Sequence, residues 1–317
     1  NLAGVQNLEK QGFSRVVLSR ELSISEIKYI KENTACELEV FIHGALCISY
    51  SGGCLFSSMV GDRSGNRGLC AQPCRLPYEL LDSKENKISS GFLLSPRDLC
   101  SLDYLPTLVR LGIDCFKIEG RMKTPTYVAT VTRIYRKYID FILEHLDLSD
   151  AEIINLIHKE LEKTNEATGL SDKEELLQSF NRGGFSDGHF PDKENKNLVF
   201  KEKSNNEGIY LGKVFRFNNN KGHISFELQN SLSIGDKIKV GNDLYTVSEL
   251  MIENKNFKTL DKGKRVTIGR MKGDIKNNSP IYRMESKALN DSIAPTFSSE
   301  KEFKKLPLDA EIRIVEG

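Results

Sequence analysis

Apolar positions along the chain fall into short runs whose spacing changes twice. Leu2, Val5 and Leu8 recur at helical spacing. Arg15–Arg20 (RVVLSR) reads as a short buried strand. Ser23 caps a following helix, Glu26 completes a capping box, and Ile24, Ile27 and Ile30 form its inner face as far as Asn33. Glu37–His43 (ELEVFIH) reads as the next strand, and strand–helix–strand in about thirty residues is the parallel crossover unit. Arg75–Asp82 reads as a short strand and Phe92–Leu94 as another apolar run. Ser95-Pro96 and Asp98 predict a helix start, with Gly112 ending that helix after Leu111. Cys115–Ile118 (CFKI) is a further buried strand. Thr124-Pro125 opens a helix with Val128, Val131, Tyr135, Tyr138 and Ile142 on one face.

Residues 1–145 therefore read as part of a (β/α) TIM-like barrel. A whole barrel takes about 250 residues, so the other half is expected to precede residue 1. Leu146 to Glu175 turns acidic and helical, Asn181–Phe190 (NRGGFSDGHF) is a glycine-rich turn, and residues 146–206 read as a connection. From Gly208 the period shortens to two. YLGKVF, HISFEL, DKIKV, LYTVSEL and RVTIG predict a small antiparallel β-barrel domain over residues 207–284. Residues 285–307 are polar and read as a linker, and Ala310 to Val315 reads as the start of a strand. The fold class expected is α/β: the C-terminal part of a TIM-like barrel, then a small antiparallel β-barrel. The chain starts at Asn1 without Met and stops in an apparent strand, so it reads as a fragment at both ends.

Composition adds little until it is taken locally. A net charge of +1 over 317 residues gives no global pull toward a polyanion. Residues 115–137, however, hold six Lys/Arg and one acid, and residues 255–276 hold eight and two. Such runs are usually solvated faces, but two of them on a near-neutral chain point toward nucleic acid. Alternation assigns most of Phe215, Phe217, Phe226 and Tyr245 to the core instead of to stacking platforms. No apolar run reaches the ~20 residues of a membrane-spanning helix. The seven cysteines are odd in number and spaced unlike a disulfide framework, which fits a reducing cytoplasm.

The chemistry concentrates between His43 and Arg75. Cys47, Cys54, Cys70 and Cys74 stand there in C-x6-C-x15-C-x3-C spacing among glycines that let a backbone fold back on itself. The loop follows a strand's C-terminal end, where parallel α/β folds place their sites. Unrelated loop cysteines, structural zinc and an iron–sulfur cluster all remain open. Zinc sites favour pairs two to four residues apart, which only Cys70 and Cys74 approach. A cluster tolerates wider spacing and is favoured. Pro77 stands where a radical-SAM motif would need its third cysteine. Cys36, Cys100 and Cys115 read as packing residues, with Cys115 the one substitute ligand. His43, Lys117 and Glu119 are candidate proton-moving or positioning residues. Lys117 and Glu119 share strand parity, and Arg20 and Glu21 hold the equivalent place one unit earlier. Arg63, Arg67, Arg75, Arg121 and Lys123 are candidate phosphate contacts. H-E-x-x-H, G-x-S-x-G, Walker and G-x-G-x-x-G motifs are absent. His43 with Cys47 could imitate a thiol-protease pair, but no third group orients it.

GALCISYSGGCLFS, NRGLCAQPCRLPYEL, GFLLSPRDLCSLDYLPTLVRLGIDCFKIEGRMK and FNRGGFSDGHF resemble the U32 family of collagenase-like peptidases over about residues 1 to 190. The NRG-CAQPCRLPY variant followed by a β-rich region is most similar to the branch that hydroxylates a cytidine in 23S ribosomal RNA; related branches act on a tRNA uridine or in ubiquinone synthesis. The resemblance implies a [4Fe–4S] cluster on Cys47, Cys54, Cys70 and Cys74, with Cys74 the position some relatives replace. It also implies a chorismate-pathway metabolite such as prephenate. Three functions stand at this point: RNA pyrimidine hydroxylation on ribosomal RNA or tRNA, peptide hydrolysis, and a non-catalytic RNA-binding or assembly module. An accessory protein or a homo-oligomer is the expected partner beside RNA.

Overall fold

The computed structural model describes residues 1–193 and 195–298, so the strand expected at Ala310–Val315 lies outside the described residues. The chain opens with α1 (Leu2–Lys10), β1 (Arg15–Val17), α2 (Ile24–Glu32) and β2 (Glu37–Ala45). The loop after β2 holds the short helix α3 (Phe56–Gly61), and a hairpin of β3 (Tyr78–Leu81) and β4 (Lys87–Gly91) follows. Then come β5 (Asp98–Cys100), α4 (Leu105–Arg110), β6 (Cys115–Ile118), α5 (Pro125–Glu144), α6 (Asp150–Leu161), α7 (Asp172–Ser179) and β7 (Phe185–Ser186).

Everything in this part is arranged on β2. It pairs in parallel with β1 and β6 and antiparallel with β5, and β5 pairs in parallel with β7. The sheet is therefore mixed, and its five strands do not close on themselves among the described residues. The helix expected from Ser95 through Leu111 is replaced by β5, a turn and the short α4. Three residues carry too little pattern to announce a strand; the free backbone of His43, Gly44 and Ala45, opposite Cys100, Leu99 and Asp98, decides the matter.

Leu38, Val40 and Ile42 on β2 are buried against α5, whose Val131, Ile134, Tyr138 and Ile142 are also buried. Each such side chain contributes about 1.5–3 kcal/mol of transfer free energy. Thr124 caps α5 by accepting from the Tyr127 N–H, and Pro125 takes the first helical position, where no N–H is needed. Tyr135 ties helix to sheet: its hydroxyl donates to Ile42 O at 2.9 Å and accepts from the Ser101 N–H at 3.0 Å. His43 Nδ1 lies 3.3 Å from the same hydroxyl. With that hydroxyl proton given to Ile42, Nδ1 is the donor, and Nε2 is left as a buried acceptor without a partner.

The remainder is antiparallel. It comprises β8 (Ile209–Lys213), β9 (Arg216–Asn218), β10 (His223–Glu227), β11 (Leu232–Ser233), β12 (Lys237–Val240), β13 (Asp243–Thr246) and β14 (Leu250–Ile252). It continues with β15 (Lys255–Asn256), β16 (Thr259–Leu260), β17 (Arg265–Ile268) and β18 (Pro280–Glu285). Sheets ordered β15-β14-β17-β10-β9 and β13-β12-β18-β8, with the pair β11-β16, enclose a second core that includes Leu211, Phe226, Ile238, Val266 and Ile281. Where polarity suggests a linker, α8 (Lys287–Ile293) forms instead, capped by Ser286 and anchored by Leu289 and Ile293. Arg283 joins the two cores. Its Nε donates to Gln178 Oε1 at 2.6 Å and its guanidinium lies 3.9 Å from Asp236, both charges being almost fully buried.

Burial pushes His43 down to about pKa 3, with Lys123 acting in the same direction. The unfolded chain, with imidazole near 6.5, then binds more protons than the folded one between about pH 3 and pH 6.5, so stability rises with pH across that window. Urea unfolding at about pH 4.5 and about pH 7.5 is expected to show about 2 kcal/mol of extra acid-side loss in wild type relative to His43→Phe. Arg283→Met, which strands Asp236, is expected to lower stability by about 3 kcal/mol in the same assay at neutral pH.

Candidate functional site

The loop between β2 and β3 doubles back through positive-φ backbone at Asp62 and Gln72, with a turn of 3-10 helix after each. This folding brings Cys47, Cys54, Cys70 and Cys74 to the wall of one cavity of about 400 Å³, shared with Arg20 and Phe41. Val17 and Leu18 reach the same cavity, so it lies off the C-terminal ends of β1 and β2. Cys47 and Cys70 are exposed, Cys54 and Cys74 half-buried, and all are free thiols. The Gln72 N–H donates to Cys70 Sγ at 3.3 Å. Burial raises the pKa of Cys74; Arg75 opposes this, while the neighbouring thiols of Cys47, Cys70 and Cys54 add to it. Among the described residues, no three His, Cys, Asp or Glu side chains stand close enough to hold a single metal ion.

The loop is fastened at several points. Glu21 receives the Ser51 N–H at 2.8 Å and the Ser51 hydroxyl at 2.9 Å. Arg75 turns inward and is no surface cation: it donates to Ser95 Oγ at 2.7 Å, to Leu46 O at 3.1 Å and to Pro96 O. Burial, aided by Arg182, lowers its pKa to about 10. Arg63 and Arg121 are exposed while donating to Leu69 O at 3.0 Å and Gly68 O at 3.2 Å, and Arg67 is exposed as well.

Lys117 and Glu119 do share a face, which leads toward the cysteine cavity. Lys117 pairs with Glu39 at 2.9 Å, and Glu119 pairs with Arg20 at 2.8 Å. Phe41 lies between the two pairs, with the Arg20 guanidinium 3.9 Å and the Lys117 amine 5.2 Å from its ring centroid. The bond to Lys117 holds the Glu39 carboxyl below its usual range. His43 does not join them. The register of β2 against β6 slips between Phe41 and His43, and such a bulge re-aims the side chain that parity would place with Phe41. The imidazole packs instead beside Tyr135 and Phe185, with centroids at 5.4 and 5.2 Å. Gly44, at φ +104, lets the Glu119 carbonyl approach where a Cβ would sit.

Two functional-looking residues escape the sequence reading. Asp98 and Arg182 form a buried ion pair at 2.6 Å, with Arg182 Nε also donating to Ser204 O at 2.8 Å. Asp98 reads in sequence as a helix start. Arg182 is hidden in a glycine-rich turn, and its one signal is a lone cation between Phe180 and Phe185. Lys123, expected on the surface, is largely withdrawn, with its amine 2.6 Å from the Phe180 ring centroid.

Comparison with known proteins gives the chain's relatives. An uncharacterized protease of Methanocaldococcus jannaschii is 35% identical over 80% of this chain and 62% of its own length. Bacillus subtilis tRNA hydroxylation protein P1 is 45% identical over 44% of this chain and 35% of its own. The Escherichia coli 23S rRNA 5-hydroxycytidine synthase is 44% identical over 43% of this chain and 21% of its own. The chain thus spans less than two thirds of the length of each of these relatives. A family model described as peptidase family U32 matches residues 1–199, and the chain belongs to that family.

Proposed function

We propose that this chain is part of an RNA-modifying enzyme whose four loop thiols hold a [4Fe–4S] cluster. The observation that carries the reading is the convergence of Cys47, Cys54, Cys70 and Cys74 on one cavity at the C-terminal ends of β1 and β2. The donor set fits the group. All four ligands are soft thiols, the Gln72 N–H reaches Cys70 Sγ, and the Arg75 cation beside Cys74 offsets thiolate charge. Their C-x6-C-x15-C-x3-C spacing suits a cluster better than structural zinc, whose pairs stand two to four residues apart. When bound, such a cluster supplies one-electron transfer at a potential set by its surroundings.

The chain's own residues have separate tasks. Glu39–Lys117 and Arg20–Glu119 keep four charges poised on the approach to the cavity, where a pyrimidine base lifted from its stack can be positioned. Arg63, Arg67 and Arg121 offer exposed guanidiniums for phosphates. Arg75 serves the loop, not the RNA. The relatives named for tRNA and 23S rRNA hydroxylation favour RNA as the substrate class. A chorismate-pathway metabolite such as prephenate stays part of the proposal as a second small-molecule reactant.

The relative named as a protease keeps peptide hydrolysis as a rival. The geometry disfavours it. His43 is closed in by aromatic rings while Cys47 is exposed, so these two do not form the thiol–imidazole pair such hydrolysis would use.

Anaerobic purification of the protein carrying this chain is expected to yield about four iron and four sulfide per chain. Cys70→Ala is expected to lose most of both and the brown visible absorbance with them; zinc in place of iron would refute the cluster. Mass spectrometry of ribosomal and transfer RNA from a deletion strain is expected to show one hydroxylated pyrimidine missing, restored by wild type and not by Cys47→Ser. Unchanged RNA, together with peptide cleavage that survives iron removal, would favour the protease.

A further inference from the structure

We propose that Lys123, seated against Phe180 with Arg182 behind the same ring, forms a binding site for the oxyanion group of a small ligand, separate from the cysteine cavity. Lys123 ends the turn after β6, where its N–H donates to Gly120 O at 2.9 Å. Its amine sits 2.6 Å from the Phe180 centroid and 5.5 Å from that of Tyr127. The Arg182 guanidinium lies 4.6 Å from the same Phe180 centroid. Two cations thus share one aromatic ring.

Their countercharge is incomplete. Arg182 engages Asp98, the one carboxylate of this group buried beside it. Lys123 has no ion pair and no side-chain hydrogen bond among the described residues, although Asp98 Oδ2 is buried nearby without a partner. Glu119, the next acid, belongs to Arg20. Arg75 adds a third positive charge to the neighbourhood. A partly desolvated ammonium near two guanidiniums is costly, and an anion relieves that cost. The amine shows the strain: burial first, then Arg182 and Arg75, bring it down to about pKa 7, against the pull of Asp98 and Glu119.

The space beside Lys123 suits such an anion. A cavity of about 560 Å³ opens there, between the start of α5, the end of α7 and the antiparallel part. Its apolar wall includes Tyr127, Phe180, Leu244 and Met284, and Thr126 and Asn206 supply polar groups. The other charged residues on that wall, Lys237 and Glu285, neutralise each other at 3.0 Å. Lys123 is therefore the one uncompensated charge of the cavity among the described residues. An apolar hollow with one cation and a few polar groups selects a ligand with a flat or apolar body and a single phosphate or carboxylate. Such a site requires neither bound RNA nor a cluster on the loop thiols.

The test is lysine side-chain NMR of protein labelled with [13C,15N]lysine, with the Lys123 signal assigned by its loss in Lys123→Gln. The probes are inorganic phosphate, benzoate and uridine 5′-monophosphate, each also titrated by calorimetry. At least one probe is expected to raise the Lys123 titration midpoint by about one pH unit, as a nearby opposite charge does. Its affinity is expected to fall at least about tenfold in Lys123→Gln and to recover in Lys123→Arg, which keeps the charge. Preference for the nucleotide over benzoate identifies a phosphate source, and the reverse a small organic acid. A Lys123 signal that none of the three probes moves at saturation, or equal binding by Lys123→Gln, overturns the site.

Discussion

One guanidinium ties the two ends of the cysteine loop to each other. Arg75 closes the loop that Leu46 opens, and it binds the Leu46 carbonyl while also engaging Ser95 and Pro96 just ahead of β5. Bringing distant chain ends together costs loop entropy that a flexible glycine-rich segment has no internal core to offset. A half-buried Arg with its donors spent on backbone carbonyls and a hydroxyl supplies the closure and registers the loop on the sheet. The four sulfurs line one cavity inside the loop so closed. A cation used for the frame in this way is not free to serve an incoming phosphate.

The two faces of the central sheet divide the work. Leu38, Val40 and Ile42 bury one face under α5. On the other, Glu39, Phe41, Lys117 and Glu119 remain half-exposed and mutually paired, next to the cysteine cavity. A polar sheet face in a stable molecule needs its charges matched, and here they are matched across strands and across β1 by Arg20.

Much of this was legible from residue order. The capping signals at Ser23 and Thr124 mark helices that form where they point, and the apolar stripe of α5 packs as its period requires. The cysteine loop follows β2 with its four thiols on one cavity, and Lys117 and Glu119, which share strand parity, pair with Glu39 and Arg20 on either side of Phe41. Failures cluster where tertiary pairing overrides local pattern. Asp98 reads as a helix start and becomes a strand because β2 offers free hydrogen-bonding groups. His43 leaves its expected face because a bulge shifts the register. Arg75 and Lys123 read as surface cations because charge in a sequence does not say which way a side chain turns. Ser286 caps a helix inside a stretch that polarity marks as linker.

Cys47 and Cys70 face solvent, whereas Cys54 and Cys74 are half-covered. Whenever the sulfurs are not engaged, the outer two are therefore the first to meet peroxide or dissolved oxygen, and they enter the sulfenic-to-disulfide ladder ahead of their sheltered partners. Oxidative damage to this loop should start at the rim of its cavity, and early losses should be reversible by a reductant as long as the inner pair of thiols survives.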